Sequence, residues 1–402
     1  MGLRIGLVTG EYPPMEGGVG AFTQEIARAL ALQDHDVHIL AGRDAKPPLD
    51  SGVVRVAGEP IPLGFAKLSP IIGRWRWPSL AVAASWVERY DLDVVNVQYQ
   101  PAAFNMKSGM ANMLPWRLRG LAPTAVTFHD LRTPYLFPKA GPLRQTAVRQ
   151  MAKMAAGVIA TNAADYQTLQ QWGLPPEQLV QIPIGSNIAV HDVGAADMAA
   201  VRRELGVAPD VLLLGYFGFL NESKGADVLL AALAGLPETV HLVFIGGRTG
   251  SSDEANNAAF FQKLDAQIAA LNLQQRVHWT GFVPEHHVSA YLMSMTLMVM
   301  PYRDGVSLRR GTLMAALVHE RPLITTHPTI PTPELVHGQN VWLVPPDDVV
   351  ALQTAVQHLL AEPELRQRLG AGAGQIAGLF SWDKIAAQTA DFLQTLIVMR
   401  DA

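Results

Sequence analysis

No cysteine occurs among the 402 residues, which removes disulfides, thiolate metal ligands and cysteine nucleophiles together. That fits a reducing compartment, the cytoplasm being the simplest one. Charge is sparse as well: Asp, Glu, Lys and Arg make up 16% and leave a net charge of −4, which excludes a global attraction to nucleic acid. Any basic site is therefore local. No uncharged apolar run reaches the roughly 20 residues that a membrane-crossing helix needs. The opening segment from Met1 to Gly10 lacks the long apolar region and small-residue cleavage site of a secretory signal and reads as a first strand.

What the chain does have is apolar residue in quantity, 49%, and a length about twice the usual ~100–200 residues of one domain. That balance suits buried parallel sheets flanked by helices. Apolar strand-like runs at residues 3–9, 37–40, 53–56, 94–97, 124–128, 158–160 and 179–182 alternate with helical spacing at 19–32, 79–89, 142–156 and 163–172. The rhythm breaks between 184 and 209, where the domain boundary is expected. It then resumes with strands near 211–217, 240–245, 276–280, 296–300 and 322–325 and helices near 224–234, 256–271, 285–294, 309–318 and 348–360. Two doubly wound α/β domains are expected. A last helix over Asp383–Met399 follows Ser381, a suitable N-cap, and has no evident partner sheet. The basic, aromatic run Arg74-Trp75-Arg76-Trp77 reads as a surface loop.

In open α/β sheets ligands lie beyond the carboxyl ends of the strands, so the loops after the first strand of each half carry most information. In the first half, glycines in the segment Gly10 to Gly20 open a helix and let backbone N–H groups approach an anion or a sugar hydroxyl. The spacing is not G-x-G-x-x-G, which disfavours a nicotinamide or flavin dinucleotide. In the second half, the segment Gly215 to Leu230 ends a strand in glycine and brings Lys224 to the start of the next helix. A cation and free N–H groups there suit a phosphate, while an ordinary turn with a solvated lysine is the other reading. The D-x-D patterns Asp34-His35-Asp36 and Asp91-Leu92-Asp93 precede strands, at the wrong sheet end for a ligand, and read as turns; no metal site is expected.

The run Lys224-Gly225-Ala226-Asp227-Val228-Leu229-Leu230 resembles the K-G-x-D-x-L-L signature of GT-B glycosyltransferases of the glycosyltransferase family 4 type. Further matches follow in order: Gly17-Gly18-Val19-Gly20, His129-Asp130, Ile182 to Asn187, Val277 to Phe282, and Pro301 to Pro322-Leu323-Ile324-Thr325. The resemblance implies two Rossmann-like domains facing across a cleft. Residues 1–188, with the terminal helix 383–402 crossing back, would form the acceptor side, and residues 189–382 the nucleotide-sugar side. It implies retaining transfer of a sugar from a nucleoside-diphosphate sugar to an acceptor hydroxyl, with no resident cofactor. His129 and Lys224 are the implied catalytic residues. The implied donor set is Gly17, Gly18, Phe219, Lys224, Gly281 and Phe282, joined by Ser307, Leu308, Arg309, Arg310 and Thr312. Gln98, Gln100 and Asp130 are implied on the acceptor side.

Several positions depart from the family pattern. Phe219 stands where an arginine is common, Ser307 and Ala315 replace an E-x7-E glutamate pair, and Glu320 replaces a glycine. Arg309 and Arg310 can supply the diphosphate charge that Phe219 does not, since guanidinium matches phosphate oxygens; alternatively they solvate a helix start or pair with Asp304 and Glu320. His129, directly after an apolar strand, is placed to meet a donor hydroxyl or the charge developing near the anomeric carbon. Expected partners are a sugar nucleotide and a glycan, lipid or small-molecule acceptor, without nucleic acid. Aromatic and basic residues at Arg74–Trp77 and from Met106-Lys107 to Trp116-Arg117 would suit peripheral membrane contact. The competing reading is a catalytically silent GT-B protein that binds a sugar nucleotide or glycan.

Overall fold

Short buried apolar strands set the architecture, because a strand covered on both faces has no need of a polar side. The computed structural model describes residues 2–15, 17–47, 56, 58–104, 109–131, 141–247 and 254–401. The chain divides into two units, Met1–Gly185 with Trp382–Ala402, and Ser186–Ser381.

The first unit contains, in chain order, β1 (Arg4–Thr9), α1 (Gly18–Leu32), β2 (Asp36–Gly42), β3 (Ile61–Pro62), β4 (Lys67–Ile72), α2 (Trp77–Arg89), β5 (Val94–Tyr99), α3 (Leu114–Leu118), β6 (Thr124–Phe128), α4 (Gly141–Met154), β7 (Gly157–Ala160), α5 (Ala163–Gln171) and β8 (Leu179–Gln181). Its sheet runs β3-β4-β2-β1-β5-β6-β7-β8. All neighbours are parallel except β3 against β4. Every residue of β5, β6 and β7 is buried. One face packs on α2, α3 and α4 through Leu80, Trp86, Leu114 and Met151. The other packs on α1 and on the terminal helix, through Phe22, Ile26, Ile385 and Leu393. Trp382 begins that helix, directly after Ser381.

The second unit contains α6 (Ala195–Leu205), β9 (Leu212–Phe217), α7 (Ala226–Ala234), β10 (Val240–Ile245), α8 (Glu254–Ala270), β11 (Val277–Trp279), α9 (Glu285–Ser294), β12 (Leu297–Met300), α10 (Gly311–Val318), β13 (Leu323–Thr326), β14 (Trp342–Val344), α11 (Val349–Ala361) and α12 (Pro363–Ala377); α13 (Trp382–Asp401) is the terminal helix of the first unit. The second sheet runs β11-β10-β9-β12-β13-β14, parallel throughout.

Both sheets reverse direction of winding beside their first strand. In the first, β1 lies between β2 and β5; in the second, β9 lies between β10 and β12. The loops after β1 and β5, and after β9 and β12, therefore diverge at a topological switch point, where an open α/β sheet leaves a crevice.

The sequence reading needs four amendments. Trp75 is not part of a surface loop: it is only 6% exposed, with its ring 4.8 Å from that of Phe104, whereas Trp77 opens α2 and is 62% exposed. The stretch 184–209 includes a regular helix, α6, closed by Gly206 in the left-handed conformation. β3, β4, α3, β14 and α12 were not foreseen. Of the strand expected at 53–56, residues 53–55 lie outside the described residues, as do Met106 and Lys107.

Candidate active site

In the first unit the loop after β1 folds back on the start of α1. Glu11 Oε1 accepts from the backbone N–H groups of Val19 at 2.9 Å and Gly20 at 3.1 Å. These are first-turn amides, which lack an intrahelical acceptor, so the anion at this helix start is the chain's own carboxylate. Gly17, the N-cap, leaves room for that carboxylate, which a Cβ there would push aside. Gly18 faces open space. The two glycines predicted for donor contact thus have different tasks: Gly17 admits Glu11, and only Gly18 presents an unobstructed surface.

Next to this loop, at the ends of β5 and β6, His129 Nε2 lies 3.0 Å from Gln98 Oε1. The edge of Phe22, from α1, packs against the imidazole at 4.6 Å. The residue is half-buried, and desolvation of the ring pushes its pKa down to about 3. His129 is therefore neutral at physiological pH. With Nε2–H donating to Gln98, the Nδ1 lone pair remains as its acceptor. Gln98 itself is fully buried, and its Nε2 has no hydrogen-bond partner among the described residues. Gln100 and Asp130 follow β5 and β6 and are partly buried. The structure brings Gln98 and His129 together.

In the second unit the loops after β9 and β12 interlock. Arg303 N–H donates to the Ser223 carbonyl at 3.0 Å. Gly225, at φ 69°, passes so close to the Pro301 carbonyl that no side chain fits between them. Asn221 turns the loop by accepting from the Ser223 N–H at 3.0 Å and the Ser223 hydroxyl at 2.8 Å. These ties bring Lys224 and Arg310 to the same aromatic ring. Lys224 Nζ lies 5.3 Å and the Arg310 guanidinium carbon 3.9 Å from the centroid of Tyr302, a completely buried side chain. Burial raises the pKa of that phenol, while Arg310 and a hydrogen bond with Thr312 act the other way.

Arg310 also pairs with Asp304, and Arg309 lies 3.9 Å from the same carboxylate. The side chain of Arg310 is only 9% exposed, and its Nε is buried without a hydrogen-bond partner among the described residues. A buried donor left unpaired is rare enough to call for a ligand or a functional reason. Pairing of both arginines with Asp304 is thus realised, and Lys224 lies over the Tyr302 ring beside them. Arg303 forms a separate tie, to Asp227 and Asp347, each at 2.6 Å.

The remaining predicted donor residues border the same sheet edge. Phe219 is 49% and Phe282 76% exposed, and Gly281 bridges to Gly246 at the ends of β10 and β11. Ser307, Leu308 and Thr312 are partly buried in the turn before α10 and in its first residues. Ala315 is fully buried in α10, so the position of a family glutamate is here part of the core. Glu320 takes the left-handed conformation, φ 53°, that a glycine would adopt without strain. Tyr302 and Glu11 were not singled out from sequence. Only Glu11, an acid just before a glycine-opened helix, carried a local signal for its role.

The aspartates of the two D-x-D patterns lie at the amino ends of strands. Asp34 and Asp91 turn the chain at φ 64° and 46°, Asp36 pairs with Lys67, and Asp91 and Asp93 pair with Arg4. Among the described residues no group of three or more His, Asp or Glu side chains is arranged to hold a metal ion.

Comparison with known proteins fits this geometry. Residues 17–185 match the Glycosyl transferase 4-like domain and residues 209–362 match Glycosyl transferases group 1. A D-inositol 3-phosphate glycosyltransferase of Streptomyces bingchenggensis is 27% identical over 56% of this chain, and that match spans about half, 49%, of the relative. A phosphatidyl-myo-inositol mannosyltransferase of Mycobacterium leprae is 26% identical, over 98% of this chain and 97% of that protein. The crystal structure of Anabaena HepE in complex with UDP and glucose superposes with a TM-score of 0.75 at 20% identity, covering 98% of this chain and 99% of the other. The chain belongs to the glycosyltransferase family 4 type of GT-B glycosyltransferases, and it is an enzyme of that class.

Proposed function

We propose that the chain transfers a sugar from a nucleoside-diphosphate sugar to an acceptor hydroxyl with retention at the anomeric carbon. The observation that carries this reading is the convergence of Lys224 and Arg310 on Tyr302 at the β9/β12 switch point, with Arg309 beside them and an unpaired buried donor on Arg310. A lysine and two arginines gathered at one loop junction, with a buried guanidinium N–H still to be satisfied, suit the charge of a nucleoside diphosphate. The glycosyltransferase relatives and the UDP bound by HepE support the same class of donor.

In this reading the bond from the anomeric carbon to the diphosphate oxygen breaks, and the acceptor oxygen bonds to the same face of the sugar. The acceptor proton passes to the departing diphosphate. Lys224 and the arginines stabilise the charge that grows on the leaving group, the largest electrostatic demand of the step. His129, held neutral, offers its Nδ1 lone pair to a sugar hydroxyl without repelling the positive charge developing on the ring. Gln98, Gln100 and Asp130 bound the acceptor side, and Gly18 stays on the donor side.

The test is turnover against a panel of UDP-, GDP- and ADP-sugars, with the anomer of the product read by NMR. A product with the donor's anomeric configuration is expected. An inverted product contradicts retention; binding without transfer or hydrolysis contradicts the donor assignment as a catalytic one.

A further inference from the structure

The second sheet has a cavity at the end opposite the Lys224–Arg310 cluster. That cluster lies beyond the carboxyl ends of β9 and β12, whereas Thr296 and Pro322, directly before β12 and β13, line a cavity of about 660 Å³ at the amino ends. Such a volume holds a small ligand. One wall comes from a close approach of α12 to the end of α10. Glycine weakens a helix interior, yet α12 contains Gly370, Gly372 and Gly374. A Cβ on Gly370 would meet the Glu320 carbonyl, and one on Gly374 the Glu320 side chain. The glycines thus let α12 lie flush against Glu320, which itself sits at φ 53°.

Two arginines line this cavity, Arg321 and Arg366. The half-buried Arg321 donates from Nη1 to the Met293 carbonyl at 3.0 Å, its Nη2 lies 3.5 Å from the Glu320 carbonyl, and its Nε is buried without a hydrogen-bond partner among the described residues. Desolvation pushes the pKa of its guanidinium down, with the Glu320 charge acting the other way. Arg366 commits Nη1 to the carbonyls of Leu359 at 2.6 Å and Leu360 at 2.7 Å, at the end of α11. Neither arginine forms an ion pair among the described residues. A cation taken out of water without a counter-ion is costly, so the arrangement favours an anion supplied from outside. Glu320 is the one carboxylate in the lining, against two guanidinium groups.

We propose that this cavity binds a phosphate monoester of a small hydroxylated molecule. Guanidinium groups match phosphate oxygens. Glu320, Gln367 and Thr296 offer hydrogen-bonding partners to hydroxyls, while Val190, Met293, Val318 and Pro363 cover the carbon face of the ligand. A nucleobase has no platform there, since no Phe, Tyr or Trp lines the cavity. His319 forms the floor and has no nitrogen to spare: Nδ1 meets the Ala315 carbonyl at 2.7 Å and Nε2 the Ser289 hydroxyl at 2.8 Å. The reacting groups gather at the other end of the sheet, so the occupant is a second ligand and not a reactant. The assignment does not depend on the donor reading.

The test is calorimetric titration of the full chain with glucose phosphate, glycerol phosphate and inorganic phosphate, with glucose as the uncharged control. One of the two esters should bind more tightly than inorganic phosphate, and glucose should not bind. Arg321→Gln and Arg366→Gln should each weaken that ester about tenfold or more. Ala371→Trp, which fills the mouth of the cavity without removing a charge, should do the same with the circular dichroism spectrum unchanged. Lys224→Ala should leave ester binding as it is. Absence of ester binding, equal binding of glucose, or a loss caused by Lys224→Ala and not by Arg366→Gln and Ala371→Trp overturns the proposal.

Discussion

His129 is a neutral group by construction, and this has a definite pH consequence. Its folded pKa, pushed down to about 3 by burial, lies below the unfolded value. At neutral pH both states are unprotonated and the residue costs nothing. As pH falls through the unfolded value the unfolded chain takes up a proton that the folded chain refuses, so stability is lost with acidification toward pH 3. Melting temperatures recorded between pH 7 and 4 should fall less steeply for His129→Gln than for the wild type; equal slopes would remove His129 from the acid response. In the same way Gly17 and Gly18, adjacent and identical in kind, should respond differently. Gly17→Ala displaces Glu11 and should cost about 1–2 kcal/mol of stability, as lost helix caps do. Gly18→Ala meets open space and should leave the denaturation midpoint unchanged, which urea titration of the two variants will show. Of these roles, the strand-end position of His129 was legible in the sequence. Its pairing with Gln98 was not, since it depends on the parallel register of β5 and β6, which sets Tyr99 beside Phe128.

At the scale of elements, the alternation of buried strands and helices could be read directly wherever a short strand is mainly apolar, as in β5, β6 and β12. β4 escaped because Lys67, Ser69 and Pro70 interrupt its pattern, and its place in the sheet comes from pairing with β2. β14 has three residues and gains definition only from β13. The basic neighbours of Trp75 disguised a core residue whose packing partner, Phe104, lies far along the chain. α13 poses the converse case: its sequence showed a helix without a destination, and the structure buries Ile385, Leu393 and Leu396 against the first unit's core. Leu393→Ala should therefore cost about 2–5 kcal/mol, the usual penalty for emptying a fully buried leucine site. A chemical denaturation curve decides; a loss below about 0.5 kcal/mol would mean that α13 is a surface appendage.

For the molecule as a whole, the modest net charge conceals a division of labour between its parts. The second unit gathers cations at one switch point, whereas the first carries a neutral polar pair, Gln98 with His129. The ordered motifs made the GT-B class readable, since Lys224-Gly225 and His129-Asp130 are local in sequence. The replacement of the glutamate pair was readable too, but its consequence was not: Tyr302, between Lys224 and Arg310, became visible only once the β9 and β12 loops were seen to interlock. The central claim is that this cluster binds the diphosphate of the donor. Calorimetric titration of UDP, GDP and ADP into the wild type, Lys224→Ala and Arg310→Ala tests it most directly. The account predicts that one nucleotide binds the wild type and that each substitution weakens it about tenfold or more, the worth of one charge-assisted contact. Undiminished affinity in both variants would contradict it.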